Sequence, residues 1–240
     1  VSQNSRNPVG NKLFAAVPRE EYERLLPHLE LVFLSLRQVL YEPNEPIKSV
    51  YFPIQGALSL LTLMENGEAI EAATVGNEGM VGTSLLLGTT QIPIQCLAQI
   101  PGDALRMKAD VFQREVHWGC PLHTLLLRYT QTLINQMSQT AACNRLHTVE
   151  QRCCRWLLMT RDRVESDEFL LTQEFLSMML GVRRASVSEV AATLQKAGLL
   201  TYNRGKIKIL DCLGLEASSC ECYRVNKQEL NRLLPLTTSR

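Results

Sequence analysis

Near residue 117 the hydrophobic pattern of this chain changes its period, and that switch constrains the fold more than any single motif. Upstream, from Leu31 to Phe112, short apolar runs alternate with turn signals: LVFLSL, EPNEP, SVYFPI, Gly56, ALSLLTLM, Asn66-Gly67, EAIEAATV, GNEGMVG, IPIQCLAQI, PGD and ALRMK. Many short strands punctuated by glycine, with Asn-Gly as a two-residue hairpin turn, predict an antiparallel barrel or sandwich. Downstream, apolar residues recur three and four apart, which is the helical period. Strands in one block and helices in the next give an α+β chain rather than alternating βαβ units.

Before the strands, residues 1–10 read as a lead-in and PREEYERLLPHL as a short helix, with Pro18 at its start and acids in its first turn. After them, Pro121 opens a long helix. Leu122, Tyr129 and Gln136 fall seven apart, as do Leu126, Leu133 and Thr140, and the two series interleave like the a/d seam of a coiled coil. A core-facing helix gives the same pattern. Its place between a barrel and a basic module favours a dimer interface formed by Leu122, Leu126, Tyr129, Leu133 and Gln136.

The segment LTQEFLSMMLGVRRASVSEVAATLQKAGLLTYNRGKIKIL parses as helix, tight turn, helix and hairpin. Thr172 caps a helix that buries Leu176, Met179 and Leu180. Gly181 supplies the turn, because glycine enters the left-handed region without steric cost. Val187, Val190, Ala191 and Leu194 form the inner face of the second helix, and Gly198 ends it. LLTY and KIKIL pair across Asn203-Arg204-Gly205. The whole is a winged helix-turn-helix. Its outward set at the start of the second helix is Arg183, Arg184, Ser186, Ser188 and Glu189. Arginine can bond guanine O6 and N7 together, and glutamate can accept from the cytosine amino group. Arg204, Lys206 and Lys208 on the wing suit phosphates, as does the helix start at Thr172 and Gln173.

Charge agrees with that reading. Residues 1–143 carry ten Lys/Arg against thirteen Asp/Glu, whereas residues 144–210 carry eleven against seven. A basic module follows an acidic one. No run of eighteen apolar residues predicts a membrane helix, and VSQNSRNPVGNK lacks an apolar signal core, so a cytoplasmic location is expected. Of the eight cysteines none forms a C-x-x-C, which in such a compartment predicts free thiols. The tail from Asp211 reads as a helix capped near that residue. Its Cys212, Cys220 and Cys222 lack a standard metal spacing, so no metal is expected there.

Taken together, the barrel, the long helix and the winged helix resemble the Crp/Fnr superfamily of bacterial transcription regulators, over roughly Leu13 to Leu210. The stretch YFPIQGALSLLTLMENGEAIEAATVGNEGMVG is similar to that family's β-roll, with Gly56, Gly67 and Gly82 at its turns. The resemblance implies a double-stranded β-helix of the cyclic nucleotide-binding type at residues 11–116, a dimerisation helix at 117–143, and a DNA-binding domain with a helical tail at 144–240. It implies a homodimer on a pseudo-palindromic operator with half-sites about 34–36 Å apart, and RNA polymerase as a further partner. It also places an effector pocket at Gly82, Thr83, Ser84, Ile92 and Pro93.

The departures from the family pattern are chemical. Cyclic-nucleotide-binding members carry a glutamate after the β-roll glycine and an Arg-Ser or Arg-Thr pair for the phosphate. Here those positions hold Thr83 and, near the second, Ile92 and Pro93. A buried phosphate without a cation or donor array is costly, so cyclic AMP is not the expected ligand and no cofactor is expected. The cysteine cluster of the family's iron–sulfur sensors is missing before Cys96. Four histidines, His28, His117, His123 and His147, leave haem-type sensing open. In the DNA-reading helix Arg184 matches the family pattern, whereas Ala185 and Glu189 do not. A second reading is a small-molecule or thiol-redox sensor with conditional DNA binding. A third, a cupin-type enzyme, needs a His/Glu cluster on the strands, and no histidine lies between Tyr51 and Phe112. No enzymatic activity is expected.

Overall fold

The computed structural model describes residues 10–234, so the lead-in before Gly10 lies outside the described residues. Two short helices come first, α1 (Lys12–Ala16) and α2 (Arg19–Leu25). The strands follow: β1 (Glu30–Leu34), β2 (Val39–Tyr41), β3 (Ser49–Pro53), β4 (Ala57–Leu63), β5 (Ala69–Val75), β6 (Gln95–Ile100) and β7 (Gly102–Lys108). They form two antiparallel sheets, ordered β1-β7-β3 and β2-β6-β4-β5. The sheets face each other across a core that includes Leu34, Phe52, Leu58, Ala73, Met80, Cys96, Leu105 and Met107. Each such large apolar side chain contributes roughly 1.5–3 kcal/mol on burial. The strand spacing predicts a barrel or sandwich, and the two facing sheets form the double-stranded β-roll that the resemblance implies.

The roll turns its corner where two glycines meet. A Cβ on Gly56, at φ +80°, would lie 2.5 Å from the Ile100 carbonyl oxygen, and one on Gly102 would lie 2.4 Å from that of Gln55. No side chain fits either place, which lets the chain pass from β6 in one sheet to β7 in the other across Pro101 alone.

The helical half comprises α3 (Ala109–Glu115), α4 (Pro121–Leu146), α5 (Val149–Val164), a strand β8 (Glu168–Leu170), α6 (Gln173–Leu180), α7 (Arg184–Lys196), β9 (Leu200–Asn203), β10 (Lys206–Ile209), α8 (Cys212–Ala217) and α9 (Cys222–Leu233). Pro121 begins α4 as expected, but the helix runs past residue 143 to Leu146. The break comes at His147-Thr148, where Thr148 and Gln151 form a reciprocal capping box that starts α5.

The expected face of α4 is covered within the chain itself. Leu122, Leu126, Tyr129, Leu133 and Gln136 do not form a free seam. They are 0%, 0%, 1%, 5% and 7% exposed within the single chain. Tyr129 donates its hydroxyl to the Met80 carbonyl at 3.0 Å, and Gln136 donates to that of Thr74 at 3.3 Å. A seven-residue period shows that a helix has an apolar face but not what covers it, and here the roll covers it. The tail touches both halves: Leu215 and Tyr223 belong to the core of the winged domain, whereas α9 lies along α4 and Leu234 is buried in the core of the roll.

The winged domain has a core of its own, built on Trp156, Leu157, Leu158, Phe175, Leu176, Met179, Val187, Leu194, Leu200 and Ile207. That core continues into Leu61, Leu97 and Ile100 on the outer face of β4 and β6. ALSLLTL therefore lacks an alternating pattern because β4 is covered on both faces.

Candidate nucleic-acid interface

Local rules assemble the helix-turn-helix. The Thr172 hydroxyl accepts from the Phe175 amide at 3.1 Å and so starts α6. Gly181 closes it at φ +61° and ψ +45°. Arg183 stands at the N-cap of α7, and Val187, Ala191 and Leu194 are its buried residues. Gly198, at φ +74°, follows the helix end. The wing turns through Arg204 and Gly205, both at positive φ (+49° and +77°), the backbone of a tight hairpin. It has one more strand than the sequence reading gives. β8 pairs antiparallel with β10, making the order β8-β10-β9. Only three residues long, β8 carries too little pattern to be seen beforehand. Tyr202 anchors the sheet by donating its hydroxyl to the Leu171 carbonyl at 2.8 Å.

The expected contact residues differ in what already holds them. Arg184 and Glu189 are exposed on the first turns of α7, and Arg204 and Lys208 are exposed on the wing. Among the described residues none of these four forms an ion pair, so the three cations Arg184, Arg204 and Lys208 are left open to solvent. Ser188 and Gln173 are bonded to each other, with the Ser188 hydroxyl donating to Gln173 Oε1 at 2.7 Å. Ser186 is half-buried. Lys206 is exposed but pairs with Glu168 on β8. Arg183, also exposed, helps to line a cleft of about 740 Å³ shared with Arg37, Glu68, Ile70 and Met178. There the turn of the motif touches the β4–β5 hairpin, since a Cβ on Gly181 would lie 2.7 Å from Ile70 Cδ1.

The opposite face of the domain is joined to the roll by buried polar groups. Arg163 of α5 pairs with Glu78 at 2.8 Å, with both side chains buried or nearly so, and donates to the carbonyls of Thr74 and Met159. Trp156 Nε1 donates to Glu71 Oε2 at 2.6 Å, and Gln99 Nε2 donates to Thr160 Oγ1 at 3.2 Å. Ser59 Oγ lies 2.6 Å from Glu71 Oε1 and 2.8 Å from Gln99 Oε1. One hydroxyl proton cannot serve both. A protonated Glu71 donating to Ser59, which donates to Gln99, satisfies all three. Burial pushes the Glu71 carboxyl up, in agreement.

In the roll, Gly82 takes φ +98° at the start of a turn through Thr83 and Ser84. Beside it stand Val50 and the Tyr41 hydroxyl, at 2.7 and 3.0 Å from a Cβ placed on Gly82. Ile92 offers its carbonyl to the Asn44 amide at 2.7 Å. Ser84 Oγ is buried without a hydrogen-bond partner among the described residues. None of the expected pocket residues Gly82, Thr83, Ser84, Ile92 and Pro93 supplies a charge.

The tail cysteines divide. Cys212 is the first residue of α8, after the Asp211 cap, and packs on the winged core, whereas Cys220 and Cys222 meet Cys143 and His147 at the end of α4. Sequence spacing could not reveal that group, because its halves are more than seventy residues apart.

Comparison with known proteins places both halves. The cyclic nucleotide-binding domain model matches residues 31–117, and the Crp-like helix-turn-helix domain model matches residues 151–218. No curated protein matches the sequence. Among solved structures the chain is similar to FixK2 from Bradyrhizobium japonicum, at TM-score 0.68 and 16% identity over 80% of this chain and 98% of that one. It is similar to a CRP-family transcriptional regulator from Thermus thermophilus, at TM-score 0.66 and 18% identity over 78% and 96%. It is likewise similar to the c-di-GMP-responsive global regulator CLP from Xanthomonas campestris, at TM-score 0.64 and 16% identity over 80% and 99%. At such identities the structures speak for the fold, and the two domain models, which between them span more than half of the sequence in the family's own order, speak for the lineage: the chain belongs to the Crp/Fnr superfamily of transcription regulators.

Proposed function

We propose that the protein is a homodimeric regulator that reads a pseudo-palindromic duplex operator with α7 and holds its phosphates with the wing. The observation that carries this is the set of exposed, unpaired cations Arg184, Arg204 and Lys208, on a domain whose Arg163, toward the roll, is paired with Glu78. Arg184 and Glu189 read base edges in the major groove. Lys208, Arg204 and the α6 start at Thr172 contact the backbone. Ser188, fixed by Gln173, holds the two helices in register.

The dimer contact lies on the face of α4 that the roll leaves bare. Leu127, Gln131, Ile134, Ser138 and Ala141 recur at alternating spacings of four and three, and all five are exposed, Leu127 at 40% and Ile134 at 50%. A second copy packed there would bury the stripe as a coiled-coil seam. The effector domain is not built for a cyclic nucleotide, since Thr83, Ile92 and Pro93 offer no carboxylate for a ribose and no cation for a phosphate.

In-vitro selection of random duplex DNA by the purified protein tests the reading. A two-fold symmetric motif with half-sites about one helical turn apart is expected. Failure to enrich any motif, together with no salt-dependent binding to duplex DNA, would sink it. Ile134→Glu should give monomers by light scattering and lose the symmetric motif, while the fold is kept.

A further inference from the structure

At the junction of α4 and α5 four ligand-type side chains converge. Cys143 and His147 come from the last turn of α4 and its cap. Cys220 precedes α9, and Cys222 is its first residue. Their ligand atoms all lie within 4.8 Å of one another. The Cys143 and Cys220 sulfurs are 3.5 Å apart, and the Cys222 sulfur is 3.5 Å from His147 Nδ1. A tetrahedral ion with bonds of about 2.3 Å to sulfur and about 2.0 Å to nitrogen needs ligand–ligand edges of roughly 3.5–3.8 Å. The set is therefore close to the size of a zinc site before any ion enters.

We propose that Cys143, His147, Cys220 and Cys222 form a structural zinc(II) site, one per chain, that fastens the C-terminal helix to the junction between the two domains.

Three features beyond the ligands fit this assignment. The first is the orientation of the histidine. Nδ1 faces Cys222, while Nε2 lies 3.2 Å from Glu221 Oε2. A metal-binding imidazole usually gives its other N–H to a carboxylate, which fixes the tautomer that leaves Nδ1 free to ligate. The second is a donor to sulfur: Gln139 Nε2 lies 3.1 Å from Cys222 Sγ, a contact suited to a thiolate. The third is charge. Zinc with three thiolates and a neutral imidazole carries one net negative charge. Arg152 and Arg155 are buried, at 7% and 4% exposure, and their charges act on the Cys143 and Cys220 sulfurs. Among the described residues neither arginine forms an ion pair, and the Nε of each is buried without a partner. Buried cations without a counterion are costly, and an anionic metal centre supplies one. Binding is an exchange without redox change: the zinc ion enters, and the three thiols release their protons to water.

The ligand pattern is closed, with four protein donors and three sulfurs, which marks a structural rather than a catalytic ion. The two pairs, C-x-x-x-H and C-x-C, come from opposite ends of the chain's second half. An ion there would hold α9 across α4 and α5, the position from which Leu234 enters the core of the roll.

The test uses the full chain, purified under reducing conditions, chelated and dialysed, then titrated with zinc against a chromophoric chelator and, in parallel, with cobalt(II). One equivalent of each is expected, with the visible bands of tetrahedral cobalt and a thiolate-to-cobalt charge-transfer band. Cys220→Ser combined with Cys222→Ser should abolish uptake, whereas Cys212→Ser should leave it at one equivalent. Circular dichroism and light scattering show that each variant is folded. Glu221→Gln should keep the cobalt spectrum and weaken affinity about 10–100-fold. The proposal is overturned by a reduced chain that takes up no metal, by undiminished uptake in the folded double-serine variant, or by isolation with iron and sulfide in place of zinc. A Cys143–Cys220 disulfide that forms in air and persists in the presence of zinc also overturns it.

Discussion

The two charged faces of the winged domain follow opposite rules. On the face toward the roll, Glu78, Glu71 and Trp156 are buried, Arg163 nearly so, and these four side chains find partners. On the face toward solvent, Arg184, Arg204 and Lys208 are exposed, and no ion pair holds them among the described residues. A buried polar group must be satisfied within the protein, because no water reaches it. An exposed cation can wait for an external partner at little cost. The first face thus fixes where the domain sits, and the second is free to bind. Substitutions should separate the two roles, affecting stability on one side and DNA on the other.

The largest effect is expected at Arg163. Arg163→Ala leaves Glu78 buried without its partner and removes two bonds to backbone carbonyls. Breaking one half of a buried pair costs about 3–5 kcal/mol. Denaturant unfolding should show that loss, with the roll and the winged domain ceasing to unfold as one. If stability changed by less than about 1 kcal/mol, the pair would be solvated and the contrast between the faces would weaken.

Arg184→Ala comes next and should do the reverse. Stability should hold within about 0.5 kcal/mol, as for an exposed surface position. Binding to the selected operator should fall by about 1–3 kcal/mol, with discrimination lost at the base pair that Arg184 reads. Competition between operator and random duplex checks this. Equal losses on both would move Arg184 from base reading to phosphate contact.

Glu71 sharpens the first face by pH. Its folded pKa is raised by burial, so its protonated form is favoured in the folded chain. The folded state therefore binds more protons than the unfolded one across that window, and stability falls as pH rises through the folded pKa. Glu71→Gln keeps an acceptor for Trp156 and carries no charge. It should be more stable than the parent at pH 8 and equal to it at pH 4. A gain of the same size at both values would remove the titration as its cause.

What the sequence made legible follows the same division. The glycines at 56, 82 and 181, the cap at Thr172 and the periods of α4, α6 and α7 are local signals, because backbone conformation and apolar spacing are written within a few residues. They reveal the block of strands, the long helix and the motif, whereas the roll comes from the family resemblance. What covers a face is not local. The pattern Leu122, Leu126, Tyr129, Leu133 describes a buried stripe equally well against a partner chain or against the roll. The pairing of Cys143 with Cys220, and of Lys206 with Glu168, depends on contacts that only the folded chain brings together.

That last pair yields the smallest prediction and the one that tests the outer face most finely. Lys206 and Lys208 stand two apart on β10 and so point the same way. Spacing alone makes them equal phosphate ligands. In the fold they differ, since Lys206 holds Glu168 on β8 and Lys208 forms no ion pair among the described residues. An exposed pair of this kind is worth about 0–1 kcal/mol, and Lys206 must give it up to reach a phosphate. Lys208→Ala should therefore lower the slope of log Kobs against log salt by close to one, whereas Lys206→Ala should lower it by less. Glu168→Ala frees Lys206 and should tighten binding to operator and random duplex alike, with the slope rising toward one further contact. Equal slopes for the two lysine variants, with no effect at Glu168, would mean that the ion pair opens at no cost and that the outer face is as uncommitted at Lys206 as at Lys208.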